Sequence, residues 1–402
     1  MSKKVCVIGL GYIGLPAACI IAEQGLSVFG VDINKKVLEN IKKYNVDLNE
    51  PRLENILKKS ILNGNLKLFD KPVSSDFFLI CTPTPVKFKK KIGKPDLNFV
   101  YSAIDSLIMH LKNNNSIIIE STIPVGTTNE IRDYILLKRP DLENIYIAHC
   151  PERVLPGNII FELIHNSRII GGVNKISTDK ISDFYKKFVS GKIIKTSCSI
   201  AELCKLAENS YRDINIAFAN ELSLICNDKN INVSEVINIA NFHPRVNILQ
   251  PGIGVGGHCI PVDPWFLIND NVSTTKLMQV AREVNVKKTK FVISDIENKI
   301  SLFFKNNNKL PFISFLGVSY KPNSSDIRDA PAIKIINKIQ KKFTNFCVVD
   351  PYVKKVLGID TKDINFAIKQ SDIMFILVKH SNFKEVKNLD INNFTLIDYS
   401  QS

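Results

Sequence analysis

The chain opens on four consecutive apolar positions, Val5 to Ile8, and then passes through Gly9, Gly11 and Gly14 in the run VIGLGYIGLP before taking up helical spacing. A short apolar run bounded by glycine reads as a buried strand. Comparable runs recur at Ser27–Val31, Phe77–Cys81, Ser116–Glu120, Tyr146–His149 and Ile169–Gly171, alternating with helical patterns to about residue 200. From Ser199 to about Asp228 the pattern becomes one long helix, SIAELCKLAENSYRDINIAFANELSLICND, with a further helical segment from Val233 to Ala240. After a Lys- and Asn-rich helix tip at 305–309, a second series begins, with strands expected at Phe312–Val318, Phe346–Val349, Asp372–Val378 and Phe394–Asp398. Alternating strands and helices in both series predict open α/β sheets.

Composition narrows the class. With 402 residues, 45% of them hydrophobic, the chain can bury the cores of two or three domains. No apolar run approaches the roughly 18 residues of a membrane span, and Met-Ser-Lys-Lys leads directly into a strand, unlike a secretory leader. A cytoplasmic protein without membrane insertion is therefore expected. The nine cysteines form no CxxC pair, and Cys6, Cys19, Cys81, Cys226 and Cys347 sit in apolar patterns as small core residues, which fits a reducing compartment. Neither the cysteines nor the six histidines have paired ligand spacing, so no metal is expected. The net charge of +14 comes mostly from dispersed lysines, without a basic stripe or recognition module. It argues against nucleic acid and favours an anionic substrate.

The glycines after the first strand have the context a dinucleotide fingerprint requires. Gly9 permits the tight turn, Gly11 lets the backbone approach a pyrophosphate, and Gly14 lets the helix pack closely on the strand. The second strand ends in Asp32, placed to meet ribose hydroxyls and to repel a 2′-phosphate, which favours NAD over NADP. The fold class expected is α/β, with two Rossmann-like open-sheet domains joined by a long central helix. The boundaries fall at 1–198 for the NAD-binding domain, 199–300 for a central helical domain with the cysteine loop, and 301–402 for the second Rossmann-like domain. Two loops that follow strand ends, CTPTP (Cys81 to Pro85) and ESTIPVGTT (Glu120 to Thr128), converge on the crevice where an open α/β sheet binds ligand.

A candidate nucleophile lies far downstream. In RVNILQPGIGVGGHCIPVDPWF, Arg245 to Phe266, Cys259 stands behind a run of glycines, with Asp263 four residues on. A thiol in such a loop is better suited to attacking an electrophile than to packing. On the long helix, Lys205, Asn209 and Arg212 are spaced to share one face, and the helix is too apolar around Ile214–Ile225 for that face to be simply solvated. Lys321, Asp326 and Arg328 fall on the loop after the first strand of the second series, where phosphate contacts and a surface charge cluster are both compatible with the spacing.

These segments, together with CPERVLPG, KLAENSYRDINIAFANEL and GVSYKPNSSDIRDAP, resemble the nucleotide-sugar dehydrogenases, the UDP-glucose/GDP-mannose dehydrogenase family, over essentially the whole chain. The resemblance implies a four-electron, NAD-dependent oxidation of a sugar C6 alcohol to a carboxylate through a Cys259 thiohemiacetal and thioester, with dimerisation through the central domain 199–300 and UDP-sugar binding by 301–402. It also implies that Lys205 and Asn209 hold oxyanion charge and a water, that Asp263 helps organise that water, that Glu152 assists thioester hydrolysis and that Thr122 lies near the reacting centre. Cofactor contacts are expected from Gly9, Gly11, Tyr12, Ile13, Gly14, Asp32, Thr82, Pro83, Thr122 and Arg328. Substrate contacts are expected from Arg153, Val154, Lys205, Asn209, Arg212, Arg245, Gly256, His258, Tyr320 and Lys321, with Arg245 often supplied by the neighbouring subunit of a homodimer. The Arg212-Asp213 pair, NILQPG and GGHC favour UDP-N-acetyl-D-mannosamine as substrate, with UDP-N-acetyl-D-glucosamine the close rival and UDP-glucose behind it. A single-oxidation hydroxy-acid or 6-phosphogluconate-type enzyme and a non-catalytic NAD-binding regulator are the readings from other classes. Two departures stand out: Cys150 replaces the common asparagine before Pro151-Glu152, and the chain stops at Asp398-Tyr-Ser-Gln-Ser without the arginine relatives often carry there.

Overall fold

The computed structural model describes residues 3–46, 50, 52–89, 92–155, 157–383 and 394–400. The chain divides into two units, residues 1–208 with 265–270, and residues 209–264 with 271–402.

In the first unit β1 (Lys4–Ile8), α1 (Gly14–Glu23), β2 (Ser27–Val31), α2 (Lys35–Lys42), α3 (Leu53–Leu62), β3 (Leu66–Phe69) and β4 (Phe77–Ile80) come in that order. An antiparallel pair, β5 (Val86–Lys89) and β6 (Ile92–Pro95), precedes α4 (Asn98–Ile108), β7 (Ser116–Ile119), α5 (Thr127–Lys138), β8 (Tyr146–His149), α6 (Ile159–His165), β9 (Arg168–Gly172), α7 (Lys175–Tyr185) and β10 (Ile193–Ser197). Eight of these strands form one sheet in the order β10-β9-β8-β7-β4-β1-β2-β3, parallel except where β8 meets β9. The apolar runs are continuous because both faces are covered. Along β1, Val5 and Val7 join a core with α1 and α3, whereas Cys6 and Ile8 join the opposite core with α4 and α5. β3 and β10 were not legible as strands; β10 is only partly buried, so its apolar signal is weak.

α8 (Cys198–Asp228) belongs to the first unit through Glu208 and to the second from Asn209. The second unit continues with α9 (Val233–Ala240). α10 (Pro264–Ile268) follows; from Trp265 its residues belong to the first unit, where the indole packs edge to face on Phe88 at 5.4 Å. Then come α11 (Lys276–Asn307), β11 (Ile313–Leu316), α12 (Pro331–Ile339), β12 (Phe346–Val349), the short pair β13 (Lys355–Val356) and β14 (Ile359–Asp360), α13 (Ile364–Gln370), β15 (Ile373–Ile376) and β16 (Thr395–Asp398). Its sheet is parallel, in the order β12-β11-β15-β16. Val292, Ile296 and Ile300 of α11 pack with Ile335, Ile336 and Ile339 of α12 over one face. The chain thus has the expected α/β architecture with a large, mostly parallel sheet. Several strands end a residue or two inside the expected bounds. Among the described residues no helix is long and apolar enough to cross a membrane.

Polar side chains are buried where α8 faces α11. Asp213 accepts from Arg282 at 2.6 Å and from Asn285 at 2.8 Å, and Asn220 donates to Asn285. Lys288 is 2% exposed and donates to Ser223 Oγ at 2.7 Å. Burial pulls the Lys288 pKa from the ordinary 10.5 down to about 8, with Asp295 opposing. A lysine that holds its proton less tightly when folded costs stability below the folded pKa, and that cost fades as pH rises from about 8 towards the unfolded value. Lys288→Met should therefore stabilise the protein by about 1–3 kcal/mol at neutral pH. In urea titrations the gain should shrink steadily above pH 8, whereas a gain independent of pH would assign the effect to packing alone.

Candidate active site

The glycine turn after β1 has the geometry its residues predict. Gly9 has φ +92°, and its N–H donates to Val31 O at 2.8 Å. A Cβ on Gly14 would stand 1.8 Å from Gly9 O, so α1 could not pack so close with any other residue there. Among the described residues, apart from its chain neighbours, no atom lies within 4 Å of where a Cβ on Gly11 would be, which leaves open backbone beside the start of α1. Asp32 is fixed by two backbone donors, Leu10 N at 3.0 Å and Asn34 N at 2.8 Å. Tyr12 packs half-buried on the core, and Ile13 occupies the cap position of α1. Open backbone at a helix N-terminus with an oriented carboxylate nearby fits a dinucleotide: the turn would hold the pyrophosphate and Asp32 the ribose hydroxyls.

The two proline-bearing loops are tied together, since Ser121 Oγ donates to Thr82 O at 2.7 Å. Thr122 is half-buried beside them and Pro83 is exposed. Glu202 of α8, wholly buried, caps α5 by accepting from Gly126 N at 2.7 Å and Thr128 N at 2.8 Å, which fixes the end of the second loop. The sequence reading missed this contact. Lys205, 9% exposed, donates to the backbone oxygen of Glu152 at 2.6 Å. The Glu152 carboxylate accepts from Arg153 N at 2.6 Å and from Arg168, while the Arg153 guanidinium pairs with Glu208 at 3.0 Å. Val154 is half-buried against the core. Arg168 and its neighbour Tyr185 were not foreseen, although an arginine heading the apolar run RIIGG was a visible signal. Cys81 needs correction: it is more than a core filler, because its thiol donates to Glu120 at 3.5 Å. Cys150 is wholly buried, and burial pushes its thiol far above the ordinary range, so it stays protonated.

In the second unit Asn209, 1% exposed, donates its amide to Asp263, and its amide oxygen accepts from Arg212. The polar face read from spacing is thus a bonded row, in which Arg212 touches Asn209. The Cys259 side chain is exposed, and its carbonyl accepts from Val262 N at 3.0 Å and Asp263 N at 2.8 Å, a turn that places Asp263 close behind the thiol in the chain. The glycine loop lies on the loop after β11: a Cβ on Gly257 would meet the Tyr320 ring at 2.9 Å, a Cβ on Gly256 would reach Asp329 O at 2.9 Å, and Gly257 N donates to Arg328 O at 3.2 Å. Arg328 holds Asp326 through two bonds of 2.8 and 2.6 Å. Partial burial, with the charge of Arg328, lowers the pKa of the exposed His258 and favours its neutral form. Arg245 lies exposed. A cavity of about 350 Å³ opens at the C-terminal ends of β11 and β15, lined among others by Gly252, Gly254, Tyr320, Lys321 and Lys379.

The chain matches three consecutive domains of the UDP-glucose/GDP-mannose dehydrogenase family: the NAD binding domain over residues 3–189, the central domain over 199–287 and the UDP binding domain over 314–399. The chain belongs to this family. It is an NAD-dependent nucleotide-sugar dehydrogenase. It is 44% identical over 393 residues to a UDP-N-acetyl-D-mannosamine dehydrogenase of Methanocaldococcus jannaschii, covering 98% of this chain and 89% of that one. It is 39% identical over 410 residues to an NDP-N-acetyl-D-galactosaminuronic acid dehydrogenase of Ralstonia nicotianae, covering 98% and 95%. A solved UDP-N-acetyl-mannosamine dehydrogenase of Staphylococcus aureus superposes with a TM-score of 0.89 at 38% identity, covering 99% of each chain.

The dehydrogenase uses NAD, and the Gly9–Gly14 turn with Asp32 is the part of the structure that fits it. Replacing Asp32 with serine should weaken NAD binding about tenfold, the equivalent of one charge-assisted hydrogen bond. The same change should narrow the preference over NADP. Fluorescence titration with both reduced cofactors checks this, and an unchanged preference would rule out Asp32 as the discriminating group.

Proposed function

We propose that this dehydrogenase oxidises UDP-N-acetyl-D-mannosamine at C6 to UDP-N-acetyl-D-mannosaminuronate, with Cys259 as the covalent nucleophile. The observation that carries the covalent scheme is the exposed Cys259 thiol, followed by the turn to Asp263, whose carboxylate is bonded to the buried Asn209. NAD held at the Gly9–Gly14 turn with Asp32 would supply the hydride acceptor, a fresh molecule for each of the two oxidations. The chain does the rest. The Cys259 thiolate adds to the C6 aldehyde, forming a C–S bond and an oxyanion that Lys205 and Asn209 stabilise as a thiohemiacetal. A thiohemiacetal has a hydride to give, whereas a free aldehyde must first be hydrated, and its covalent capture keeps the reactive carbonyl from escaping. Once it is oxidised to the thioester, water attacks the carbonyl while Glu152 takes the proton. The C–S bond then breaks to leave the carboxylate and the thiolate, with Asp263 orienting the water through Asn209.

The substrate assignment is supported by the Arg212-Asp213 pair, the GGHC loop and the likeness to UDP-N-acetyl-D-mannosamine dehydrogenases. The Ralstonia relative, named for an N-acetylgalactosaminuronic acid product, supports the N-acetylhexosamine class more firmly than any one epimer. UDP-N-acetyl-D-glucosamine is therefore the rival to test, ahead of UDP-glucose. The loop 320–328 and its cavity are our candidate for the UDP-binding region. A thiol nucleophile works only when reduced, which fits a cytoplasmic location.

We also propose a homodimer. Tyr211, Phe218 and Ile225 recur every seventh residue on α8 and are 61, 53 and 55% exposed, an apolar stripe suited to a second copy. Light scattering should give twice the chain mass of 45.2 kDa, and Phe218→Asp should reduce it to the monomer. A wild-type monomer at micromolar concentration would overturn the proposal.

With limiting sugar nucleotide, reactions run to completion should yield two NADH per UDP-N-acetyl-D-mannosamine, and far slower turnover with the glucosamine and glucose compounds. Cys259→Ala should lose the second NADH. A fully active alanine variant would sink the covalent scheme, and two NADH from another nucleotide would overturn only the substrate.

A further inference from the structure

Two lysines line the cavity at the C-terminal ends of β11 and β15. Lys321 belongs to the loop after β11 and Lys379 to the loop after β15. The two strands are parallel neighbours, with Leu316 opposite Ile376, so both loops leave the sheet at the same rim. Both lysines are half-buried, and the lining contains no carboxylate. Among the described residues the Lys379 ammonium has no hydrogen-bonded or ionic partner. Ser400, past the end of β16, also lines the cavity, but its hydroxyl donates to Asp398 Oδ1 at 2.5 Å.

The backbone that carries the two lysines is anchored. His380, next to Lys379, is wholly buried; its Nδ1 accepts from Asn323 N at 2.9 Å, which leaves the proton on Nε2 to donate to Asp350 at 3.1 Å. Asn323 Oδ1 in turn accepts from Ser381 N at 2.9 Å, and Ser319 Oγ donates to the backbone oxygen of Lys321 at 2.7 Å. The two loops are thus bonded to each other beside both lysines, and neither ammonium can withdraw without breaking bonds around a buried imidazole.

Like charges brought to one cavity repel, and partial removal from water leaves that repulsion poorly screened. An anion between them reverses the sign of the interaction. A single phosphate answers one ammonium, whereas a diphosphate reaches two, and about 350 Å³ falls within the range of roughly 300–1,000 Å³ usual for small-molecule sites. We propose that Lys379 binds the diphosphate of the sugar nucleotide together with Lys321, so that the loop after β15 supplies half of a two-ammonium clamp. The inference rests on reading this cavity as the UDP-binding region.

Calorimetric titration of the full chain with UDP and with UMP tests it. Lys379→Met keeps an unbranched apolar stem and removes the charge, so UDP should bind about tenfold more weakly, the loss of one charge-assisted contact. UMP should lose less, which narrows the preference for UDP. Lys379→Arg keeps the charge and should keep that preference. Equal weakening of UDP and UMP in the methionine variant, without recovery in the arginine variant, would mark a structural role and overturn the clamp. Lys321→Met separates the two layers of the argument. Should it weaken UDP while Lys379→Met binds both nucleotides as the wild type does, the role of Lys379 falls and the cavity keeps its assignment. If neither methionine variant changes UDP binding, the cavity is not the UDP region and this inference falls with it.

Discussion

Much of this fold depends on a row of polar side chains that α8 carries out of water. Glu202, Lys205, Asn209, Asp213, Asn220 and Ser223 fall on one helical stripe, and each is buried. A buried polar group is tolerated only when it is bonded, so each position demands a partner at a set height along the helix. In the first unit Glu202 answers the start of α5 and Lys205 the carbonyl of Glu152. In the second, Asn209 answers Asp263, and Asp213, Asn220 and Ser223 answer α11. An apolar stripe would slide by a turn at little cost; this one cannot slide without orphaning several groups.

The same constraint connects structure to chemistry. Lys205 and Asn209, a turn apart, are the residues to which we assign the oxyanion, and each is already held by a neighbour in its own unit. Electrostatic stabilisation depends on donors oriented before charge develops, since reorientation during the reaction would consume the benefit. Arg212 bonds Asn209 and Arg168 bonds the Glu152 carboxylate, so both side chains are held in place.

A turn of the same design occurs in both units. After β1, Gly9 N donates to Val31 O and Leu10 N to the Asp32 carboxylate. After β11, Gly317 N donates to Val349 O and Val318 N to the Asp350 carboxylate. The surroundings differ: Tyr352 N, Val353 N and His380 also bond Asp350, whereas Asp32 is held by the backbone of Leu10 and Asn34 and lies beside open backbone at Gly11. One strand-turn-strand device thus leaves open backbone in one unit and stabilises a loop in the other.

The sequence by itself determined the strand-helix alternation, the glycine turn with Asp32, the long helix and the residue types expected to do the chemistry. These were readable because backbone sterics and the 2- and 3.6-residue periods act between near neighbours along the chain. The antiparallel β8–β9 step, the capping of α5 by Glu202 and the Glu120–Arg168–Glu152 array were decided only by tertiary structure. Their partners are separated by 16 to 76 residues, and a lone arginine or glutamate carries no local mark of which distant carboxylate or amide will meet it. Edge strands such as β10 stayed hidden for a related reason: half-exposed, they do not need the continuous apolar run that marks a buried strand.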